Sequence, residues 1–283
     1  MDYNAGPELG HALRSIADEL AGQSWEAIVV DNASSDDSGA IVAEFGPQAC
    51  LIRNEENVGF ARGVNQGLAA AAAPLVLIMN PDCHLVGGAL PLLVETLRRH
   101  ESCAIVGPRV LNPDGSLQGS ARGDPDMLTG LFGRAQFLRN VFPYLAVSKR
   151  NVVSDEAVLG LDATVVVDWV SGACMLARRD VLRRVGGFDE RYFLYWEDAD
   201  LCRRLRAAGY QTRYVTDATA VHRAGHSARS NSRASIRAFH ESAYLYYATH
   251  VAPGRWHPKR VIARCLLAVR CRLHLYRSQH LLN

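Results

Sequence analysis

"CLIRNEENVGFARGVNQGLAAAAAPLVLIMNPD", residues 50–82, holds an apolar run, a helix-like stretch entered through Gly59, and a second apolar run broken at Asn80-Pro81. Two short strands around one helix are the natural reading. Upstream, "AIVVDNASSDDSG" (27–39) reads as a buried strand ending at Asp31, then a polar loop whose Ser and Asp residues can cap a helix. Downstream come a helix over about 88–99 and the strand "CAIVGPRVL". This alternation predicts an α/β fold with a mostly parallel sheet flanked by helices, and ligands outside the carboxyl ends of the strands. Residues 120–160 show no steady period and read as loops and short helices. "DWVSGACMLARRDVLRRVGGFDE" returns to strand, helix and glycine turn; "YQTRYVTDATAVH" gives short strands, and "SIRAFHESAYLYYATH" a helix.

The 283 residues, 48% hydrophobic and 21% charged, suffice for one large folded domain with a tail. The formal net charge of +2 conceals an asymmetry, because no acidic residue follows Glu241 while seven Arg and Lys do. Seven cysteines without a C-x-x-C pair argue against a disulfide framework or structural zinc and favour a reducing compartment. The longest apolar run, "LAAAAAPLVLIM" (68–79), is too short to span a bilayer. A soluble or membrane-surface protein is expected.

Asp31 and Asp82 both end apolar strands. Asp is common there because it starts turns. Taken with Arg62 and Asn65 on the intervening helix, however, they can form a site in which Asp31 accepts a hydrogen bond from a nucleobase and Asp82 holds a divalent cation. A cation on one carboxylate needs further oxygens, which a diphosphate supplies. Gly59, Gly63 and Gly67 place small residues on one helix stripe, which close packing explains; neither a dinucleotide fingerprint nor a P-loop is present. His222 and His226 have helical metal-pair spacing, but Gly225 and the strand-like run before them make a helix doubtful. Surface histidines are the better reading, although one could complete a site with Asp82.

"FLYWEDADLCRRLRAAGY" (193–210) reads as a helix from Glu197 stopped at Gly209. With Leu201, Leu205 and Ala208 as the buried face, Asp198 falls on the apolar side and Asp200 on the polar side, paired with Arg203 or Arg204. An inward carboxylate raises its pKa, which makes Asp198 a general-base candidate with Glu197 as a substrate holder. A helix-dipole role is the alternative.

In this order "VVDNASSDDSG", "NEENVGFARGVNQG", "MNPD", "VSGACMLARRDVLRRVGGFDERYFLYWEDADLCRRL" and "VHRAGHS" resemble the inverting family 2 glycosyltransferases of GT-A fold, most nearly bacterial rhamnosyltransferases acting on lipid-linked acceptors. The resemblance implies a catalytic domain over residues 1–250. It implies nucleotide-sugar binding by Asp31, Asp36, Arg62, Asn65, Asp82 and Gly172, with Gly172 on the sugar and acceptor side. It implies Mg²⁺ or Mn²⁺ held by Asp82 and His222, with Asn80 replacing the first Asp of the family's D-x-D motif, and catalysis by Asp198 beside Glu197. The implied donor is dTDP-L-rhamnose, and the acceptor a polyprenyl-diphosphate-linked sugar or a polysaccharide, in cell-surface glycan synthesis. The family also places an apolar strand before "YNAG" (3–6) that is missing here. That points to a start codon further upstream, or else to a truncated, inactive nucleotide-sugar-binding relative. Residues 251–283 read as a basic, amphipathic helical tail suited to an anionic membrane surface, with a helix packed on the domain and solvated arginines as the alternative; the membrane reading implies a cytoplasmic protein peripheral to the inner face of the membrane. Nucleic acid is not an expected partner.

Overall fold

The computed structural model describes residues 1–124, 164–223 and 233–280. The stretch expected to form loops and short helices lies largely outside them, as does His226. The chain opens with helix α1 (Pro7–Glu19), then β1 (Ala27–Asp31), α2 (Ser38–Ala43), β2 (Ala49–Arg53), α3 (Phe60–Ala70) and β3 (Leu75–Met79). There follow β4 (Cys83–Leu85), α4 (Ala89–Arg99), β5 (Cys103–Leu111) and β6 (Ala121–Arg122). After the undescribed segment come β7 (Thr164–Val167), β8 (Trp169–Val170), β9 (Cys174–Arg178), α5 (Arg179–Arg184), α6 (Glu197–Ala207) and β10 (Gln211–His222). Helix α7 (Arg233–Tyr246) runs into a π-helical turn (Tyr247–Val251), and α8 (Pro258–His280) closes the described chain.

The main sheet has the order β3-β9-β5-β10-β4, with β7 also paired to β10; β1 and β2 form a separate parallel pair. Helices cover both faces, as the alternation predicts. Strand direction departs from the mostly parallel expectation: in the main sheet β10 is parallel to β5, whereas β9 runs antiparallel to both β3 and β5, and β10 runs antiparallel to β4 and β7. The chain enters β9 after the long excursion that follows β6. A crossover helix forces parallel pairing only when it is short and direct, so local periodicity could not reveal this direction.

The period-two alternation of β9 builds two cores. Met175 and Ala177 pack with residues of α3, α5 and α6, including Phe60, Leu182, Leu201 and Leu205. Cys174 and Leu176 turn the other way, onto Leu90, Leu93 and Leu97 of α4. Each fully buried leucine contributes about 1.5–3 kcal/mol, so both helix layers are held by apolar burial. The glycine stripe has the packing role expected of it: a Cβ on Gly67 would stand 3.5 Å from Val30 of β1. Gly59 is a stricter case, because its φ is +87° and a Cβ would lie 2.6 Å from the carbonyl oxygen of Phe193. That oxygen accepts the Phe60 N–H at 2.7 Å, which ties the segment before α6 to the start of α3.

Where the sequence leads one to expect a strand ahead of residue 3, Asp2 makes a single parallel bridge to Asp31. The Asp2 N–H donates to the Val30 carbonyl at 2.7 Å, and the Asn32 N–H donates to the Asp2 carbonyl at 2.9 Å. β1 is thus paired on both sides at its carboxyl end.

Candidate active site

The carboxyl ends of β1 and β2 meet at Asp31 and Arg53, partners in the parallel register. Asp31 is 1% exposed; its Oδ1 accepts the Ser34 N–H at 2.8 Å, and its Oδ2 stands 3.4 Å from Arg53 Nε. Beside this pair opens a cleft of about 430 Å³ lined by Ala33, Ser34, Arg53, Asn54 and Glu55. Asp36 holds the loop together by accepting the Gly6 N–H at 2.8 Å and hydrogen bonds from Ser38. Burial alone would raise its pKa, but these donors outweigh it and hold the carboxyl below the usual range.

The second cluster forms where β3 gives way to Asn80-Pro81-Asp82. Because β4 runs antiparallel to β10 with Cys83 opposite His222, Asp82 is brought against a histidine 140 positions along the chain. Asp82 is 3% exposed, and its Oδ1 lies 3.2 Å from His222 Nε2. Gln118 fixes the ring: its Nε2–H donates to the His222 carbonyl, which leaves its Oε1 facing His222 Nδ1 at 2.9 Å. A proton on Nδ1, donated to Gln118, leaves the Nε2 lone pair facing the Asn80 side-chain amide at 3.2 Å, beside Asp82. That is the tautomer a metal-binding histidine uses. Carboxylate oxygen and ring nitrogen thus converge at a spacing that could serve two ligands of a hard or borderline cation. No group of three or more His, Cys, Asp or Glu residues suited to a metal occurs among the described residues. Gln118 escaped the sequence reading, and His222 lies largely buried against Asp82 rather than at the surface.

The third cluster is the start of α6. Tyr195 and Trp196 both have positive φ, 70° and 72°. Such backbone costs about 1–3 kcal/mol per residue and persists only where surrounding packing enforces it. It sets the first turn of α6 so that Asp198 Oδ2 accepts the Gly172 N–H at 2.9 Å and Oδ1 the Ala199 N–H at 2.8 Å. The turn Ser171-Gly172-Ala173 then joins the second and third clusters, since the Ala173 carbonyl accepts the Asn80 N–H at 2.9 Å. One backbone turn holds the Asn80–Asp82 loop at one end and the Asp198 carboxylate at its middle.

Residues 3–155 match Glycosyl transferase family 2, and residues 150–240 match Glycosyl transferase family group 2. The chain is 31% identical to N-acetylglucosaminyl-diphospho-decaprenol L-rhamnosyltransferase of Mycobacterium tuberculosis, over 96% of this chain and 90% of that one. The chain belongs to glycosyl transferase family 2. Rhamnosyltransferase WbbL of Escherichia coli is 45% identical over 29% of this chain and 31% of its own. Among solved structures, Staphylococcus aureus TarS 1–349 in complex with UDP-GlcNAc superposes with a TM-score of 0.58 at 15% identity, over 93% of this chain and 68% of that one. The mannosyltransferase PcManGT from Pyrobaculum calidifontis, in complex with GDP-Man and Mn²⁺, gives 0.56 at 19% identity, over 98% and 71%. These likenesses support the glycosyltransferase fold, and glycosyl transfer is the activity class of this family 2 chain.

Within this family 2 site, helical geometry had misassigned the acids of α6. Glu197, not Asp198, is the inward carboxylate: it is 5% exposed, while Asp198 is half-buried. Asp200 is not at the surface but fully buried. Its expected partner Arg204 is there at 2.7 Å, joined by His250 Nε2 at 2.6 Å from the π-helical turn. The wheel considered one buried face, but α7 and the turn after it cover the other through Tyr192, Ala199 and Tyr246. Arg62 and Asn65 face the 187–190 turn. Asn65 exchanges hydrogen bonds with the Phe188 backbone at 2.9 Å each way, and Arg62 stands 4.0 Å from Glu190.

Burial, reinforced by the neighbouring charges of Asp198 and then Asp200, pushes the Glu197 carboxyl well above the ordinary glutamate range. Its Oε2 has no hydrogen-bond partner among the described residues. A proton held more tightly by the folded chain than by the unfolded one stabilises the fold only while it is bound. That contribution is whole below the ordinary glutamate pKa of about 4.3 and fades as pH rises through the elevated folded value. Glu197→Gln is therefore expected to raise the melting temperature at alkaline pH and to flatten its decline with pH. Parallel thermal melts across pH check this; an unchanged slope would contradict it.

Proposed function

We propose that this chain transfers L-rhamnose from dTDP-L-rhamnose to a hydroxyl of a polyprenyl-diphosphate-linked N-acetylglucosamine, with inversion at the anomeric carbon. The near full-length similarity to a rhamnosyltransferase named for that acceptor supports the substrates. The carrying observation for the mechanism is the Ser171-Gly172-Ala173 turn, which couples the Asn80–Asp82 loop to Asp198 through two backbone hydrogen bonds. The cleft beside Asp31 would take the nucleobase, walled by Ser34, Arg53 and Asn54, with Asp31 and Asp36 bracing the loop behind it. Asp82 and His222 would hold Mg²⁺ or Mn²⁺, which when bound offsets charge developing on the leaving diphosphate.

Asp198 is the carboxylate with access to an acceptor, since Glu197 and Asp200 are buried. It takes the proton of the acceptor hydroxyl as that oxygen attacks the anomeric carbon from the face opposite the diphosphate. The new carbon–oxygen bond forms as the bond to diphosphate breaks, and dTDP leaves with the electron pair. No covalent sugar–enzyme adduct is required. Incubation with a panel of nucleotide sugars and a polyprenyl-diphosphate N-acetylglucosamine acceptor should yield product with dTDP-L-rhamnose and with Mn²⁺ or Mg²⁺ present. Preference for another nucleotide sugar would replace the donor, and no transfer from any donor would favour an inactive nucleotide-sugar-binding relative.

A further inference from the structure

Helix α8 packs through Ala263 and Leu267 against Ala243, Tyr247 and Ala252, with Trp196 at the margin of the same cluster. Its outer face is unusual for a helix in contact with water. Val261, Ile262, Leu266, Val269, Leu273 and Tyr276 are each 49–67% exposed. At about 100° per residue these six fall within an arc of about 140°, away from the buried side. Lys259 and Arg277 lie along one margin of that arc and Arg272 along the other, all exposed. Trp256, 88% exposed, stands just ahead of the helix with the Arg255 guanidinium over its ring. No helix among the described residues is long and apolar enough to cross a membrane.

We infer that the exposed face of α8 docks flat on an anionic lipid surface, its apolar stripe among the acyl chains and its basic margins among the headgroups. Two observations select this occupant over a second copy of the chain. No acidic residue follows Glu241, so two such faces brought together would oppose Arg and Lys without a counter-charge, whereas an anionic bilayer supplies it continuously. The exposed Trp-Arg pair also suits the headgroup layer, where an aromatic body and a cation are both accommodated. The position has a consequence for the site. Trp196 belongs to the cluster beneath α8 and immediately precedes Glu197, so the docked surface lies one packing layer from the start of the helix that carries Asp198. A lipid-borne acceptor would then reach that carboxylate from the surface on which the protein rests. This last point depends on the proposed acceptor, but the docking itself does not.

The test is co-sedimentation of the full-length chain with vesicles of phosphatidylcholine containing phosphatidylglycerol, compared with phosphatidylcholine alone and with high salt. Binding should need the anionic lipid and weaken with salt, and V269E/L273E should reduce it about tenfold or more, given what burying one such side chain contributes. Because both positions are exposed, folding should be preserved, as circular dichroism would report. V269S/L273S, which adds no charge, should shift binding in the same direction. Vesicle binding unchanged in both variants would overturn the proposal. So would a native dimer that both variants dissociate while neither form binds vesicles, which would make this face an interface between copies. Calorimetric titration with dTDP should be the same for all forms, so a wrong donor assignment and a wrong docking surface give separate failures.

Discussion

Asp198→Asn is expected to lower sugar transfer by about two to four orders of magnitude, the usual contribution of a positioned general base. Asparagine preserves the shape and can still accept the Gly172 N–H, but it cannot take the acceptor proton. The nucleotide cleft by Asp31 involves none of the same residues, so dTDP affinity should change little. Initial rates with the lipid-linked acceptor, alongside calorimetry with dTDP, measure the two quantities separately. A variant that retains near-normal rates would remove Asp198 from the role of base, and parallel loss of dTDP binding would mean the substitution had disturbed the fold.

Asp82→Ala should have the second large effect, this time on binding. With Asp82 Oδ1 gone, His222 Nε2 would be the remaining member of the proposed ligand pair. Loss of even a supporting contact to a metal ligand costs about 10- to 100-fold in affinity, and loss of a direct ligand should cost at least that. Titration of Mn²⁺ into the protein with dTDP present should show this drop, while dTDP binding without metal stays nearly constant. An unchanged Mn²⁺ titration would rule Asp82 out as a ligand.

Much of the secondary structure was legible because each element carries its own pattern. "AIVVD" and "LVLIM" are apolar runs of strand length, and they form strands at Ala27–Asp31 and Leu75–Met79. Gly209, with φ of +88°, follows α6 where a left-handed residue was expected to stop it. The candidate site was legible only where strand ends or ordered motifs marked it, as at Asp31, Asp82 and Asp198. Gln118 had no signal, since its meaning lies in a contact with His222 across 104 residues. Asn65 looked like a ligand by its place between two marked strands, yet the positive-φ Gly187 lets the 187–190 turn approach and take both ends of its amide.

The amino-acid order alone settled the α/β alternation, the family likeness and the presence of three acids at the head of one helix, because those depend on local spacing and residue type. Tertiary structure decided what each acid is. Helix α7 and the π-helical turn return to cover the face of α6 that its own sequence marks as polar, burying Asp200 against His250 and Arg204. Glu197 is buried as well, and of the three acids Asp198 keeps both a backbone anchor on Gly172 and partial exposure. A helical wheel records only the residues of its own helix, whereas burial depends on everything that later packs against it.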